Sequence, residues 1–126
     1  MSLCLSGAAG AVALAVSSFT LSWTHSVERV EWWERWEVTT AGLRPIEARV
    51  VGTGAGMEIP EGAVRDGDGW LFRPHLPLQR SVLLAASGRT PSGWTLCAAG
   101  SCRTLGATEA DPIRLWVSPV CAADPR

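Results

Sequence analysis

The chain has 126 residues, 47% of them hydrophobic, and a formal net charge of −1. This length and hydrophobic fraction exclude a disordered chain and are typical of one globular domain, so we predict a single domain over residues 1–126. The near-neutral charge argues against nucleic acid as a partner, because nucleic-acid-binding proteins usually carry a clear basic excess.

The apolar start of the chain, MSLCLSGAAGAVALAVSSFTLSW, allows two interpretations. It lacks the positively charged first part of a signal peptide, and its glycines and serines make it a poor transmembrane helix. Alternation of apolar and polar residues instead favours strands at 2–6 and 11–16, joined by a turn at GAAG and leading into a third strand. We therefore predict a hairpin and no membrane span in this chain, with a cleaved signal peptide as the alternative.

The rest of the chain alternates between short apolar segments and turn-forming sequences such as AGLRP, DGDG and SGRTPSG. This spacing predicts an all-β fold, a single antiparallel β-sandwich or a partly open barrel of short strands and hairpins. Asp-Gly pairs supply the positive φ angles of tight hairpin turns, which places one such turn at 66–69. The predicted strands are 2–6, 11–16, 18–27, 31–39, 43–52, 63–66, 69–73, 81–86, 93–98, 101–105 and 113–118.

Residues 27–38 are compatible with either a helix or a strand. Glutamates recur at every third position of this segment, as they would on one face of an amphipathic helix. The β-branched residues that follow Trp36 favour strands, with a bend near Glu28 and Arg29. On a strand, one of the consecutive Trp32 and Trp33 points into the core, and the other points outward to a partner or ligand surface.

Tryptophan supplies most of the aromatic bulk, because the chain has seven tryptophans, two phenylalanines and no tyrosine. We expect most of these side chains to pack in the core or between hairpin strands. Trp23 and Trp70 are predicted to be mostly buried.

His25 is the first candidate for site chemistry. On a strand it shares a face with large apolar residues, so its imidazole should be partly buried and should need a hydrogen-bond partner, which Glu28 or Glu34 can supply. A histidine–carboxylate pair can act as a general base or support a metal ligand. However, the adjacent Ser26 points to the opposite face, and the sequence contains no nucleophile elbow. We therefore predict a structural or binding role for the pair and no catalytic residue.

Two further motifs predict ordinary structure. His75 lies between prolines in RPHLPL, which indicates an exposed loop. The glycines of GTGAGME, 52–58, match neither a phosphate-binding loop nor a dinucleotide fingerprint, and they favour a bulge or a close backbone approach. We predict no cofactor and no metal site, because no second Cys/His pair accompanies Cys97 and Cys102 at zinc-ligand spacing.

The four cysteines allow three pairings, and free buried thiols are the alternative. Cys97 and Cys102 enclose a four-residue loop in WTLCAAGSCRTL, so in a hairpin they would face each other. Cys4 and Cys121 lie near the two ends of the chain, which are often close in space. Both pairs are therefore candidate disulfides. Cys97 and Cys102 are expected to be bridged if the protein is exported, although the segment at the start of the chain does not resemble an export signal.

Three segments, FTLSWTHSVERVEWWERWEV, GTGAGMEIP and RDGDGW, resemble the domain-of-unknown-function family numbered 1850. The pattern of that family is Phe-x-Leu-x-(Tyr/Trp)-Thr-His-Ser-Val-Glu-Lys, a following pair of glutamates and a later Gly-Ala-Gly segment. The run from Thr24 to Glu28 matches it, with Arg29 in place of lysine. Of the glutamate pair only Glu34 is in register, since Trp33 occupies the preceding position. The residues 54–56 match the glycine segment.

Members of this family are small bacterial proteins typically encoded beside TRAP-type transporters of the TAXI branch, and the family has no established activity. The resemblance implies TRAP/TAXI transporter components as partners and a periplasmic or membrane-associated location. We therefore expect an accessory or binding module for uptake of small organic anions rather than an enzyme. The alternative is a small hydrolase or metal-dependent enzyme that uses His25 with Glu28 or Glu34. The candidate binding residues are His25, Ser26, Glu28, Trp33, Glu34, Gly54 and Gly56.

Overall fold

A computed structural model describes residues 1–6, 11–24, 31–51, 61–86, 93–106 and 112–121. The regular elements of this part of the chain are eleven strands. All of them lie where the sequence predicts a strand, and no helix of the described residues is long and apolar enough to span a membrane. The strands are β1 Ser2–Leu5, β2 Val12–Leu14, β3 Ser18–Thr24, β4 Glu31–Thr39, β5 Gly42–Val51, β6 Val64–Asp66, β7 Gly69–Phe72, β8 Ser81–Leu84, β9 Trp94–Ala98, β10 Ser101–Leu105 and β11 Ile113–Ser118.

The strands form two antiparallel sheets, which confirms the predicted sandwich. The large sheet has seven strands in the order β10-β9-β3-β4-β5-β7-β6, and the small sheet has four in the order β2-β1-β11-β8. Neither sheet closes on itself within the described residues, so the barrel alternative is not realised. The strand interpretation of the first residues is confirmed as well, because β1 pairs with both β2 and β11 in the small sheet.

The core lies between the two sheets and follows from the alternation of side chains along each strand. Alternate side chains point inward, and Leu3 and Leu5 of β1 and Phe19 and Leu21 of β3 are at most 2% exposed. Pairing in the large sheet sets Phe19 opposite Trp36 and Leu21 opposite Leu96. The buried cluster comprises Leu3, Leu5, Phe19, Leu21, Trp36, Leu43, Leu84, Leu96 and Leu115.

The segment that was compatible with a helix is strand β4 from Glu31 onward. It pairs with β3 on one side and with β5 on the other, so its backbone groups are satisfied by the sheet on both sides. The helical alternative is therefore wrong for 31–39, and tertiary pairing overrides the three-residue spacing of the glutamates. The bend predicted near Glu28 and Arg29 lies outside the described residues.

Trp23 and Trp70 are mostly but not fully covered by their neighbours, which agrees with the burial predicted for them. Trp23 is the penultimate residue of β3, and Trp70 is paired with Val50 of β5 on one side and with Arg65 of β6 on the other. Trp23 still packs against the core and stacks on Trp32 with ring centroids 6.1 Å apart. The better-covered tryptophans are Trp36 and Trp116, at 4% and 6% exposed.

Both candidate disulfides are present. Cys4 is joined to Cys121, with Cα atoms 5.3 Å apart, and Cys97 is joined to Cys102, with Cα atoms 4.0 Å apart. Cys97 and Cys102 face each other across the β9–β10 hairpin, as the sequence predicts. The loop between these strands is only the two-residue turn Ala99–Gly100, in which both φ angles are positive.

Candidate binding surface

Strand β4 places the two candidate residues that the structure describes on opposite faces of the large sheet. Trp32 and Trp36 point inward, since Trp32 stacks on Trp23 and Trp36 is part of the core. Glu34 is between them on the same face, and Trp33 therefore points outward. The expectation that one of Trp32 and Trp33 faces in and the other faces out is confirmed. Trp33 and Glu34 do not belong to one site.

The outer face around Trp33 carries charged side chains that are held by one another. The Arg35 Nε atom donates to Glu47 Oε1 over 2.8 Å. Arg49, which pairs with Trp33 in the register of β4 and β5, donates from Nε to Asp66 Oδ2 at 2.9 Å. Its Nη2 atom donates to Asp68 Oδ1 at 2.7 Å. These contacts limit the conformations of the side chains that surround the indole.

The predicted DGDG turn supplies half of this arrangement. Asp66 and Gly69 pair across the β6–β7 hairpin, and Gly67 has a φ of +61°, which an L side chain rarely adopts. The turn directs the Asp66 carbonyl to Arg49 Nη2 at 2.9 Å. The Arg49 guanidinium lowers the pKa of Asp68 below its ordinary value, mainly through their hydrogen bond, so this carboxyl stays ionised at neutral pH.

We call the outer face formed by Glu31, Trp33, Arg35, Glu47, Arg49, Asp66 and Asp68 the Trp33 surface. An open concavity of about 350 Å³ lies on it, lined by several of these residues together with Leu71. A second concavity of about 430 Å³ shares Glu47 and Leu71 with the first and extends to His75. Four carboxylates and two guanidinium groups give the Trp33 surface an acidic excess.

Glu34 has a different environment on the inner face. It pairs with Leu21 of β3 and with Ala48 of β5, both of which are buried. Burial raises the pKa of Glu34, and this effect outweighs the hydrogen bond from Trp36 Nε1 at 3.1 Å, which lowers it. The neighbouring Trp32 Nε1 is buried and has no hydrogen-bond partner among the residues that the structure describes. The described residues contain no group of three or more His, Cys, Asp or Glu side chains that could hold a metal ion.

The other candidate residues, His25, Ser26, Glu28, Gly54 and Gly56, lie outside the described residues, so the predicted pairing of His25 with Glu28 or Glu34 stays a prediction. The strand ends that lead to them are adjacent. Thr24 at the end of β3 pairs with Glu31 at the start of β4, and the next pair in β4 and β5 is Trp32 with Val50. Thr24, Glu31 and Val50 therefore lie at the same end of the large sheet.

Sequence reasoning found Trp33 but missed the charged residues that surround it. Glu47 and Arg49 are distant from Asp66 and Asp68 in the sequence, and only the pairing of β5 with β7 brings them together. The one sequence signal for this charged cluster was the DGDG turn. It predicted a hairpin but did not indicate that β5 would be the strand beside that hairpin. His75 is exposed in an irregular segment, as predicted, and lines the second concavity.

Comparison with known proteins places the chain in a family. The model of the family described as "Domain of unknown function (DUF1850)" matches residues 19–105, which is more than two thirds of the chain. The match contains every strand of the large sheet, from Phe19 of β3 to Leu105 at the end of β10, together with β8. Neither the search of the curated proteins nor the search of the solved structures found a match. The chain belongs to the family of the domain of unknown function DUF1850.

Proposed function

We propose that this protein is a non-enzymatic binding module that docks on a partner protein through the Trp33 surface. The observation that carries this proposal is the outward-facing, half-buried Trp33 indole on the central strand of a seven-stranded sheet. Protein interfaces commonly combine an aromatic anchor with a surrounding rim of polar groups, and tryptophan is enriched among the residues that dominate binding energy.

The paired charges around Trp33 support the same role. Arg35 and Arg49 are already held by carboxylates in the free protein, so less side-chain ordering is required when a partner binds. The acidic excess of the Trp33 surface favours a partner with a basic contact area, because complementary charge raises the association rate and disfavours wrong partners. Binding should therefore weaken as the salt concentration rises.

The partner that we propose is a component of a TAXI-type TRAP transporter, with its solute-binding protein as the first candidate. This choice depends on the genetic context that the family resemblance implies. The protein would then act as an accessory to the uptake of small organic anions, without itself turning over a substrate.

Calorimetric titration of the solute-binding protein into the purified protein tests the proposal. Trp33→Ala should weaken binding by a factor of about 30 or more, as expected for removal of an anchor residue. The matched control is Leu83→Ala, because Leu83 is 55% exposed on β8 of the other sheet. Its dissociation constant should stay within about twofold of wild type. Unchanged affinity of Trp33→Ala would show that this surface is not the docking site.

A small hydrolase is the second candidate function, and the raised pKa of Glu34 favours it. A general acid needs a pKa above that of a free carboxyl, and burial shifts the pKa of Glu34 in this direction. In this case Glu34→Gln should abolish the turnover of ester or amide substrates, whereas Trp33→Ala should preserve it. Absence of turnover by the wild-type protein across such a substrate panel would remove this candidate.

A further inference from the structure

We propose that the Cys97–Cys102 disulfide is a thiol–disulfide exchange site that a dithiol reduces while the protein remains folded. In the same molecule, the Cys4–Cys121 disulfide serves as the structural bridge. The two bridges differ in the access of a thiolate to their sulfurs, in the solvation of the leaving group and in the consequences of cleavage for the fold.

Access favours attack at Cys102. Cys102 is exposed and lies on β10, an edge strand of the large sheet. The residues before and after it in the chain, Ser101 and Arg103, are exposed as well. An attacking thiolate must approach a disulfide sulfur directly, so an exposed sulfur reacts faster than a covered one. Cys4, by contrast, is 0% exposed in β1, between β2 and β11.

The solvation of the leaving thiolate also favours cleavage of the Cys97–Cys102 bridge. Attack on Cys102 releases the thiolate of Cys97, which is half-buried on the outer face of the large sheet beside Thr20. Attack on Cys121, the more accessible end of the other bridge, would release the thiolate of Cys4 into a site without solvent contact. A buried charge without a partner is costly, so the second reaction is strongly disfavoured in the folded protein.

The strand register adds a geometric reason. Cys97 and Cys102 are direct cross-strand partners, and the hairpin holds their Cα atoms 4.0 Å apart. This separation is shorter than the usual range of about 4.4–6.8 Å, and such departures make a disulfide easier to reduce. The Cα atoms of Cys4 and Cys121 are 5.3 Å apart, within that range.

Cleavage of the exposed bridge leaves the hairpin supported. β9 is paired with β3 on its other side, so it does not depend on β10 for its place in the sheet. The turn at Ala99 and Gly100 has the two positive φ angles that match the twist of a tight hairpin. The reduced form should therefore keep the same fold, with two thiols on its outer face.

The proposed exchange is balanced with a dithiol as the co-reactant. One thiolate of the dithiol attacks the sulfur of Cys102, the bond to the Cys97 sulfur breaks, and a mixed disulfide forms. The second thiol of the dithiol loses its proton and attacks the mixed disulfide, which releases Cys102. The two cysteine sulfurs gain two electrons and two protons, and the dithiol is oxidised to a disulfide.

The test is native-state reduction of the oxidised full chain with dithiothreitol, quenched by an alkylating reagent and followed by peptide mass spectrometry. We expect Cys97 and Cys102 to be alkylated at least about tenfold faster than Cys4 and Cys121. Tryptophan fluorescence should stay at its native value during this first phase. Equal rates for the two bridges, earlier reduction of Cys4–Cys121 or loss of native fluorescence in the first phase would each overturn the proposal.

Single variants test the direction of attack separately. Cys97→Ser leaves the exposed Cys102 as a free thiol, whereas Cys102→Ser leaves the half-buried Cys97. With oxidised glutathione as the probe, the Cys97→Ser variant should form the mixed disulfide several-fold faster. Equal rates, or a faster reaction of the Cys102→Ser variant, would contradict attack at Cys102.

Discussion

At the scale of single residues, the two faces of β4 separate the hydrophobic core from the Trp33 surface. Trp36 is 4% exposed and stacks on Phe19 with ring centroids 6.2 Å apart, whereas Trp33 points away from the core. The two side chains have the same chemistry and are three positions apart, so their difference comes only from the face of the strand on which each lies.

Replacement of these two tryptophans should therefore have unequal effects on stability. Trp36→Ala is expected to reduce the free energy of unfolding by about 3–5 kcal/mol, because it removes a large buried ring and leaves a cavity. Trp33→Ala should cost less, about 1–2 kcal/mol, because its half-buried indole lies on the outer face and its removal leaves no enclosed cavity. Urea-induced unfolding, monitored by far-ultraviolet circular dichroism, measures both. Similar losses for the two variants would show that the faces of β4 are assigned wrongly.

Glu34 should make the stability of the protein fall as the pH rises. Burial raises its pKa above the ordinary value of 4.5, so above pH 4.5 the folded state retains a proton that the unfolded state loses. The stabilising contribution of the protonated form is complete below pH 4.5 and is lost as the pH passes through the raised pKa of the folded state.

Glu34→Gln isolates this effect, because glutamine stays neutral and its amide oxygen can still accept the hydrogen bond from Trp36. Relative to wild type, the variant should be more stable at pH 7 than at pH 4, as measured by urea-induced unfolding at both values. A difference between variant and wild type that does not change with pH would mean that Glu34 titrates normally.

At the scale of elements, the β9–β10 hairpin combines a disulfide with an unfavourable turn residue. Ala99 has a φ of +51° and is the only non-glycine residue with a positive φ in the described part of the chain. The left-handed conformation disfavours a residue that has a Cβ atom, and asparagine tolerates it better than alanine. The turn therefore forms because Gly100 and the pairing of β9 with both β10 and β3 support it.

Ala99→Asn should raise the free energy of unfolding by about 0.5–1 kcal/mol, because Asn-Gly is the preferred pair in such a turn. Gly100→Ala is the matched control, since Gly100 has a φ of +80° and should lose stability by a similar amount. Thermal unfolding of both variants gives the comparison. A destabilised Ala99→Asn protein would contradict the conformation assigned to this turn.

The strands were predictable because most are short segments of alternating polarity between strong turn signals, as in the pair on either side of DGDG. The position of a tryptophan within its sheet was not predictable. Trp23 was assigned to the correct face, but no local pattern indicated that Trp36 and Trp116 would be the most buried tryptophans. The Trp33 surface was predictable only as one outward tryptophan, because its charges come from separate strands.

At the scale of the whole molecule, the small sheet is built mainly from the two ends of the chain. β1, β2 and β11 lie outside the segment matched by the family, and β8 is the only strand of this sheet within it. The Cys4–Cys121 bridge joins these ends across 117 positions, whereas Cys97–Cys102 spans only five. The first bridge therefore restricts the unfolded chain far more than the second.

Removal of the two bridges should differ accordingly. Under the chain-entropy description, Cys4→Ser with Cys121→Ser should cost about 5 kcal/mol, and Cys97→Ser with Cys102→Ser about 2 kcal/mol. Urea-induced unfolding of the two double variants under oxidising conditions measures the difference. Equal losses, or a larger loss for the hairpin bridge, would contradict the structural role assigned to Cys4–Cys121.

The proposed docking site is the outer face of the large sheet at Trp33. Each of the seven tryptophans carries an indole N–H, so nuclear magnetic resonance of the ¹⁵N-labelled indoles can follow them individually during titration with the TAXI solute-binding protein. We expect the Trp33 signal to shift or broaden at saturation while the signals of the buried Trp36 and Trp116 keep their positions. An unchanged Trp33 signal at saturation, or no change in any indole signal, would contradict the proposal.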